Sequence, residues 1–126
     1  MSAVIVAYAR SPFTPANRGA LAKTRPDDIA ASVVNRLISD VGIDPSLVDD
    51  LIVGCAFPEA EQGYNLARII TFLTDLPETV PGVTINRFCG SSMQSIHDAA
   101  ARIEMGMGDA FIAGGVESMS RVPMTG

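Results

Sequence analysis

Segments with the pattern of strands alternate with segments that have the pattern of helices along this chain. The strand-like runs are short, apolar and rich in β-branched residues, and we place them at 3–9, 51–57, 82–86 and 110–116. Because a helical stretch separates each run from the next, the strands should pair in parallel through right-handed crossovers. We therefore predict an α/β fold in which a mixed, mostly parallel sheet of βαβαβαβ order has helices packed on both faces. The run at 3–9 is apolar on both faces, as a buried parallel strand should be.

The first helix has recognisable signals at both ends. Pro26 suits the first turn of a helix, and the carboxylate of Asp27 suits the positive end of the helix dipole. Gly42 is the residue type that commonly ends a helix. Between these ends, apolar residues recur every four positions at Ile29, Val33, Leu37 and Val41. The pattern predicts a helix that starts within Thr24-Arg25-Pro26-Asp27 and is closed by Gly42.

Two further helices are predicted over 64–73 and 91–105. The apolar residues of the second helix share one face, at Leu66, Ile69, Ile70 and Leu73. The third helix is small-sided, so it can pack closely against other elements. Its inward residues are predicted to be Ile96, Ala99, Ala100 and Ile103.

Composition restricts the class of protein. The chain has 126 residues, of which 48% are hydrophobic and 18% charged, so we expect one globular domain spanning 1–126. A net charge of −5 argues against a surface that binds nucleic acid or anionic lipid. No apolar run reaches membrane-spanning length, and the N-terminus lacks the pattern of a signal peptide. Two cysteines form neither a disulfide framework nor a zinc motif, which indicates a reducing, cytoplasmic setting.

Cys89 is the main candidate for a functional residue. It follows the strand-like run at 82–86 and precedes the third helix, so it should lie at a helix N-terminus near the carboxyl end of a strand. Free backbone N–H groups and the helix dipole favour a thiolate at such a position. A thiolate suits acyl transfer, because it attacks a carbonyl and leaves as a thioester. The alternative is a small buried apolar residue, which is the usual environment of a free cysteine.

Acyl transfer also needs a base and a donor for the developing oxyanion. The backbone N–H groups at Cys89 and Gly90 could supply the donor. His97 is the only histidine, and its helical position is about 12 Å further along the axis from Cys89. That separation is too large for direct proton transfer within one chain, so a packed or hydrogen-bonded structural histidine is the better interpretation.

Three other polar residues lie near the predicted site. Cys55 could be a second thiol there, although its apolar surroundings indicate a core residue. Glu117 and Ser118 follow the fourth strand and should emerge at the same edge as Cys89, where a supporting hydrogen-bond role competes with a role in a turn. The Gly114-Gly115 pair does not have the spacing of a nucleotide-binding loop. The methionines indicate packing or an interface, at Met93, Met105, Met107, Met119 and Met124.

Two blocks of sequence, at 83–94 and 114–120, resemble the N-terminal half of a thiolase. The Arg10-Ser11-Pro12-Phe13 opening and the segment 54–68 are similar as well, so the resemblance covers essentially the whole chain. The segments 59–68 and 91–94 resemble the degradative 3-ketoacyl-CoA thiolases (acetyl-CoA C-acyltransferases). Similarity to biosynthetic acetoacetyl-CoA thiolases (acetyl-CoA C-acetyltransferases) is the alternative.

The resemblance implies a role for Cys89 as the nucleophile that attacks a 3-ketoacyl-CoA, releases acetyl-CoA and holds the acyl group until coenzyme A accepts it. Coenzyme A and acyl-CoA are then substrates, and no permanently bound cofactor is implied. The reverse reaction is a Claisen condensation. The family fold is a layered α-β-α-β-α arrangement of two similar halves. Thiolases are dimers or tetramers, and some degradative members join a larger β-oxidation complex.

Other functional groups of the family have no counterpart in these 126 residues. They are an asparagine, a histidine in a Gly-His-Pro context, a second cysteine in a Cys-x-Gly-Gly-Gly context and a loop region that contacts coenzyme A. We therefore expect a fragment without the loop region and the C-terminal domain, which is inactive by itself. Two alternatives remain: a non-catalytic assembly domain, and a thiol-sensing domain that uses Cys55 and Cys89.

Overall fold

The computed structural model describes residues 2–124. Its helices and strands are, in chain order, α1 (Pro26–Val41), β1 (Asp50–Gly54), α2 (Leu66–Phe72), β2 (Gly82–Ile85), α3 (Ser91–Glu104) and β3 (Phe111–Gly115). The strands form a sheet in the order β2-β1-β3, with both pairs parallel. The predicted α/β class is confirmed. No helix within residues 2–124 is long and apolar enough to span a bilayer.

Helices cover both faces of the sheet, as predicted. The central strand β1 is buried along its whole length, and its side chains alternate between the two faces. Leu51 and Val53 belong to the core that α1 and α2 cover. Ile52 and Gly54 point to the opposite face, where α3 packs against β1 and β3. The chain therefore has a core layer on each side of β1.

Helix α1 begins and ends where its signals predict. Pro26 occupies the first turn, and Gly42 follows the last turn with a left-handed φ of 71°. The buried hydrophobic residues of the helix are Ala31, Val34 and Ile38. They are not the residues of the four-residue repeat seen in the sequence. Ile29 and Val33 of that repeat line a cavity instead.

The predicted inward face of α3 is wrong in part. Ala99 is buried, but Ile96 is 45% exposed, and the other residues buried in the helix are Ser91 and Ser95. The reason lies in the sheet beneath the helix, where β3 ends in two glycines. The helix approaches this glycine surface closely, so its contact row consists of small side chains, and the Ser95 hydroxyl donates to the Gly114 carbonyl over 3.1 Å.

The predicted strand at 3–9 is also wrong. This segment has no strand pairing, and its large side chains are exposed: Val4 by 74%, Ile5 by 78%, Val6 by 80% and Tyr8 by 92%. Apolar β-branched residues favour an extended backbone, but a strand also needs a neighbour that shares its hydrogen bonds. The described sheet ends at β2 and β3, and neither edge pairs with this segment.

Strands β1 and β3 both end in glycine, below the start of α3. A Cβ atom at Gly54 would lie 2.5 Å from the Ser92 nitrogen and 2.6 Å from the Ser91 oxygen. A Cβ atom at Gly115 would overlap the Ser92 hydroxyl oxygen. These glycines therefore let the N-terminus of α3 rest on the carboxyl edge of the sheet, which is the edge where ligands bind in parallel α/β folds.

Candidate functional site

Cys89 lies in a tight 3-10 turn, Phe88–Gly90, that joins β2 to α3. Its side chain is exposed, and the next residue, Gly90, caps the N-terminus of α3. The alternative of a buried apolar cysteine is therefore wrong. Phe88, just before Cys89, has a φ of 45°, a left-handed conformation that is strained for a bulky residue. Such strain is common where a side chain must be presented to a ligand.

Short hydrogen bonds hold this turn. The Asn86 side-chain oxygen accepts from the Phe88 N–H at 2.8 Å. The Ser91 hydroxyl accepts from the Arg87 N–H at 2.8 Å and donates to the Phe88 carbonyl at 2.7 Å. The Gly90 N–H donates to the Arg87 carbonyl at 3.0 Å. Within residues 2–124 the Cys89 N–H has no backbone acceptor.

Cys89 opens onto a cavity of about 860 Å³ at the carboxyl ends of β1 and β3. Its wall is largely apolar, with Phe57, Phe88 and Val116 among its residues, and both cysteines line it. Cavities of this size are typical of sites for small molecules and cofactors. The sheet edge, the Cys89 turn and the segment that follows β3 thus enclose one site.

Cys55 is the first residue after β1 and is almost completely buried, with 1% of its surface exposed. The prediction of a core residue is confirmed, and the structure adds that Cys55 also lines the cavity. Its thiol donates to the Glu117 carboxylate over 3.8 Å. Burial, and next the Glu117 charge, raise the pKa of Cys55 to about 11. Both cysteines are free thiols, Cys55 buried and Cys89 exposed.

Glu117 connects three segments of the cavity edge. One carboxylate oxygen accepts from the Ala56 N–H at 2.7 Å, and the other from the Gln62 amide at 2.8 Å. Gln62 is fully buried, and it also donates to the Phe57 carbonyl and accepts from the Ser118 N–H. Both carboxylate oxygens therefore have donors. The supporting hydrogen-bond role considered for Glu117 and Ser118 agrees with these contacts.

Gln62 is the residue of this site that sequence reasoning missed. It lies in a polar stretch with a 3-10 turn, Ala60–Gln62, and no periodicity or motif distinguishes it there. Its role depends on Glu117 and Ser118, which are more than fifty positions away. No local signal in the sequence could have identified it.

His97 is exposed on α3 and does not line the cavity. Among residues 2–124 its side chain makes no hydrogen bond, so the prediction of a packed or hydrogen-bonded histidine is wrong. The Gly114-Gly115 pair lies within β3, not in a loop that could bind phosphate, and of the two glycines Gly115 faces α3. Across the same described residues, no group of three side chains that could hold a metal ion lies together.

Comparisons with known proteins agree with this architecture. The family model described as "Thiolase, N-terminal domain" matches residues 3–126. A 3-ketoacyl-CoA thiolase of Bacillus subtilis is 53% identical over 124 residues, which are 98% of this chain and 32% of that protein. A 3-ketoacyl-CoA thiolase of Saccharophagus degradans is 44% identical over 96% of this chain and 31% of its own length. The chain thus spans about a third of these relatives.

A solved structure has the same fold. The acetyl-CoA acetyltransferase of Bacillus anthracis superposes with a TM-score of 0.76 at 37% sequence identity, covering 81% of this chain and 26% of that one. One conclusion follows from the parallel sheet, from the close contact between the start of α3 and Gly54 and Gly115, and from the match over residues 3–126. This chain belongs to the thiolase family and corresponds to its N-terminal domain.

Proposed function

We propose that this chain supplies the acyl-carrying cysteine of a thiolase that cleaves 3-ketoacyl-CoA into acetyl-CoA and a shortened acyl-CoA, as in fatty acid β-oxidation. The observation that carries the proposal is the exposed Cys89 on a strained turn before α3, open to the cavity at the sheet edge. The relatives named 3-ketoacyl-CoA thiolase support the same activity.

In the proposed reaction the Cys89 thiolate attacks the 3-keto carbon of the substrate. The bond between carbons 2 and 3 breaks, and the two-carbon unit takes up a proton and leaves as acetyl-CoA. The remaining acyl group is now a thioester of Cys89. The thiol of coenzyme A gives up its proton, attacks this thioester and leaves as the shortened acyl-CoA, which restores the Cys89 thiolate.

The residues described here have separate tasks in this scheme. The Cys89 N–H stabilises the negative oxygen that forms during each attack, and the Ser91 hydroxyl holds the turn in place. Glu117 is not the base, because backbone and amide donors occupy both of its oxygens. We assign proton transfer to the histidine and second cysteine that the resemblance places in the other half of a thiolase.

Coenzyme A and acyl-CoA are substrates in this proposal, with no permanently bound cofactor. Biosynthetic acetoacetyl-CoA thiolase is the alternative, and the solved acetyl-CoA acetyltransferase supports it. We also propose a cytoplasmic location, which the two free cysteines support. The net charge of −5 supports a protein without nucleic-acid partners.

The 126-residue chain should accept one acyl group from acetoacetyl-CoA and then stop. Solvent can supply the proton for one slow acylation of Cys89, whereas repeated turnover needs the proton-transfer groups that these 126 residues lack. Mass spectrometry after an acid quench should show one acetyl adduct, and peptide mapping should assign it to Cys89. The adduct should disappear in Cys89→Ser. An adduct on Cys55 alone, no adduct, or repeated release of acetyl-CoA would contradict the proposal.

A second candidate function is a non-catalytic assembly domain, which the surface composition favours. Large apolar side chains are exposed on α2, on the Cys89 turn, on α3 and directly after α3: Phe72 by 61%, Phe88 by 64%, Met93 by 56% and Met105 by 76%. The same surface supports a homodimer, a homotetramer or a subunit of a β-oxidation complex. Sedimentation should show self-association and a hydrophobic dye should bind, whereas a monodisperse monomer with little dye binding would count against assembly.

A further inference from the structure

The cavity has a second sulfur that the proposed reaction does not use. Cys55 lines the same cavity as Cys89, but it is 1% exposed and its thiol points to the Glu117 carboxylate. A thiolate is the reactive form of cysteine toward a thioester. If Cys55 ionised as well, an acyl group could move to a buried sulfur where coenzyme A cannot easily reach it.

The contacts of Glu117 suit it to prevent the ionisation of Cys55. Its carboxylate is anchored by the Ala56 N–H at 2.7 Å and by the Gln62 amide at 2.8 Å, so its position next to Cys55 is defined from two sides. Gln62 is itself fixed by its bonds to Phe57 and Ser118. A fixed negative charge beside a buried thiol favours the neutral, proton-donating form of that thiol.

We propose that Glu117 is a positioning residue that holds Cys55 as a neutral thiol on the cavity wall, so that Cys89 is the sulfur that receives the acyl group. The inference rests on the proposed function for the role of Cys89. Its chemical basis is independent of that role, because it concerns the protonation of Cys55 alone.

The groups around Cys55 act in known directions. Burial raises the pKa of the Cys55 thiol most, the Glu117 carboxylate raises it further, and the Phe57 N–H lowers it. Within residues 2–124, Glu117 is the one charged side chain that acts on Cys55, and the other ionisable side chains that line the cavity are Arg10 and Cys89. Removing the Glu117 charge should therefore make Cys55 ionise at lower pH.

The experiment is a titration of the 126-residue chain labelled with ¹³C at the cysteine Cβ atoms, followed by NMR. In the unsubstituted chain the Cys55 signal should titrate with a midpoint near 11. In Glu117→Gln the midpoint should fall by about one pH unit, which raises the thiolate fraction at pH 8 about tenfold, and burial should keep the midpoint above the ordinary thiol value. In Glu117→Asp, which keeps the negative charge, the Cys55 midpoint should lie close to that of the unsubstituted chain.

Glu59→Gln is the matched control, because it removes one negative charge from an exposed side chain near the same segment. It should leave the Cys55 midpoint unchanged. A purely structural role of Glu117 would expose Cys55 equally in the Gln and Asp variants, so equal midpoints in both would overturn the proposal. A midpoint at the ordinary thiol value in the unsubstituted chain would also overturn it, even if Glu117→Gln does not fold. The acetyl adduct on Cys89 is read separately, so the proposed function and this inference can fail independently.

Discussion

Gly54→Ala is expected to lower the free energy of unfolding by about 3 kcal/mol, at the upper end of the usual cost of overpacking. The new methyl group would lie 2.5 Å from the Ser92 nitrogen and 2.6 Å from the Ser91 oxygen. These are backbone atoms at the start of α3, so no side chain can rotate away to make room. The helix start must move off the sheet, and the Cys89 turn must move with it. Urea unfolding followed by circular dichroism measures the change.

Gly114→Ala is the matched control for this substitution. Gly114 lies in β3, the neighbour of β1, and an added Cβ atom would meet nothing within 4 Å. Its free energy of unfolding should stay the same or rise by up to about 1 kcal/mol, since alanine restricts the unfolded chain. Equal stability of the two variants would show that the contact between α3 and the sheet edge is not as close as described.

Arg102→Ala is expected to lower the free energy of unfolding by about 3 kcal/mol, because it leaves a buried carboxylate unpaired. The Arg102 guanidinium on α3 contacts Asp50 at 2.7 Å, and Asp50 begins the central strand with 9% of its surface exposed. The other Asp50 oxygen has no partner among the described residues. Arg102 also lies over the Phe111 ring at 5.9 Å, so packing contributes to the loss.

Arg36→Ala controls for the loss of an arginine from an ion pair. Arg36 pairs with Asp40 on the surface of α1, where the side chains are 74% and 50% exposed. Its removal should cost no more than about 0.5 kcal/mol, because water screens such a pair. Thermal and urea unfolding of both variants give the comparison. Similar losses in the two variants would contradict a special role of the Arg102–Asp50 pair.

The exposed, strained turn that carries Cys89 shows how local and distant contacts combine at the site. The turn closes through Asn86, Arg87 and Ser91, all within a few residues of Cys89. Its position over the cavity depends instead on Gly54 and Gly115, which belong to two different strands. A sequence motif can therefore indicate a reactive cysteine, whereas the surroundings of that cysteine depend on the whole sheet.

The amino-acid sequence alone determined the features that depend on nearby residues. Pro26 and Gly42 mark the ends of α1, the short apolar runs mark the three paired strands, and Cys89 is placed between a strand and a helix. Caps, propensities and periodicity act over a few positions, so the sequence displays them directly.

Only the tertiary structure decided the features that depend on partners far along the chain. In the folded chain the segment 3–9 lies outside the sheet, and the buried serines of α3, Ser91 and Ser95, face the sheet with its glycines. Gln62 contacts Glu117. Whether a strand pairs, and whether a polar group can be buried, depends on the groups that contact it from other parts of the chain. No pattern within one segment specifies those groups, which is why the apolar run at 3–9 predicted a buried strand and why Gln62 remained unnoticed.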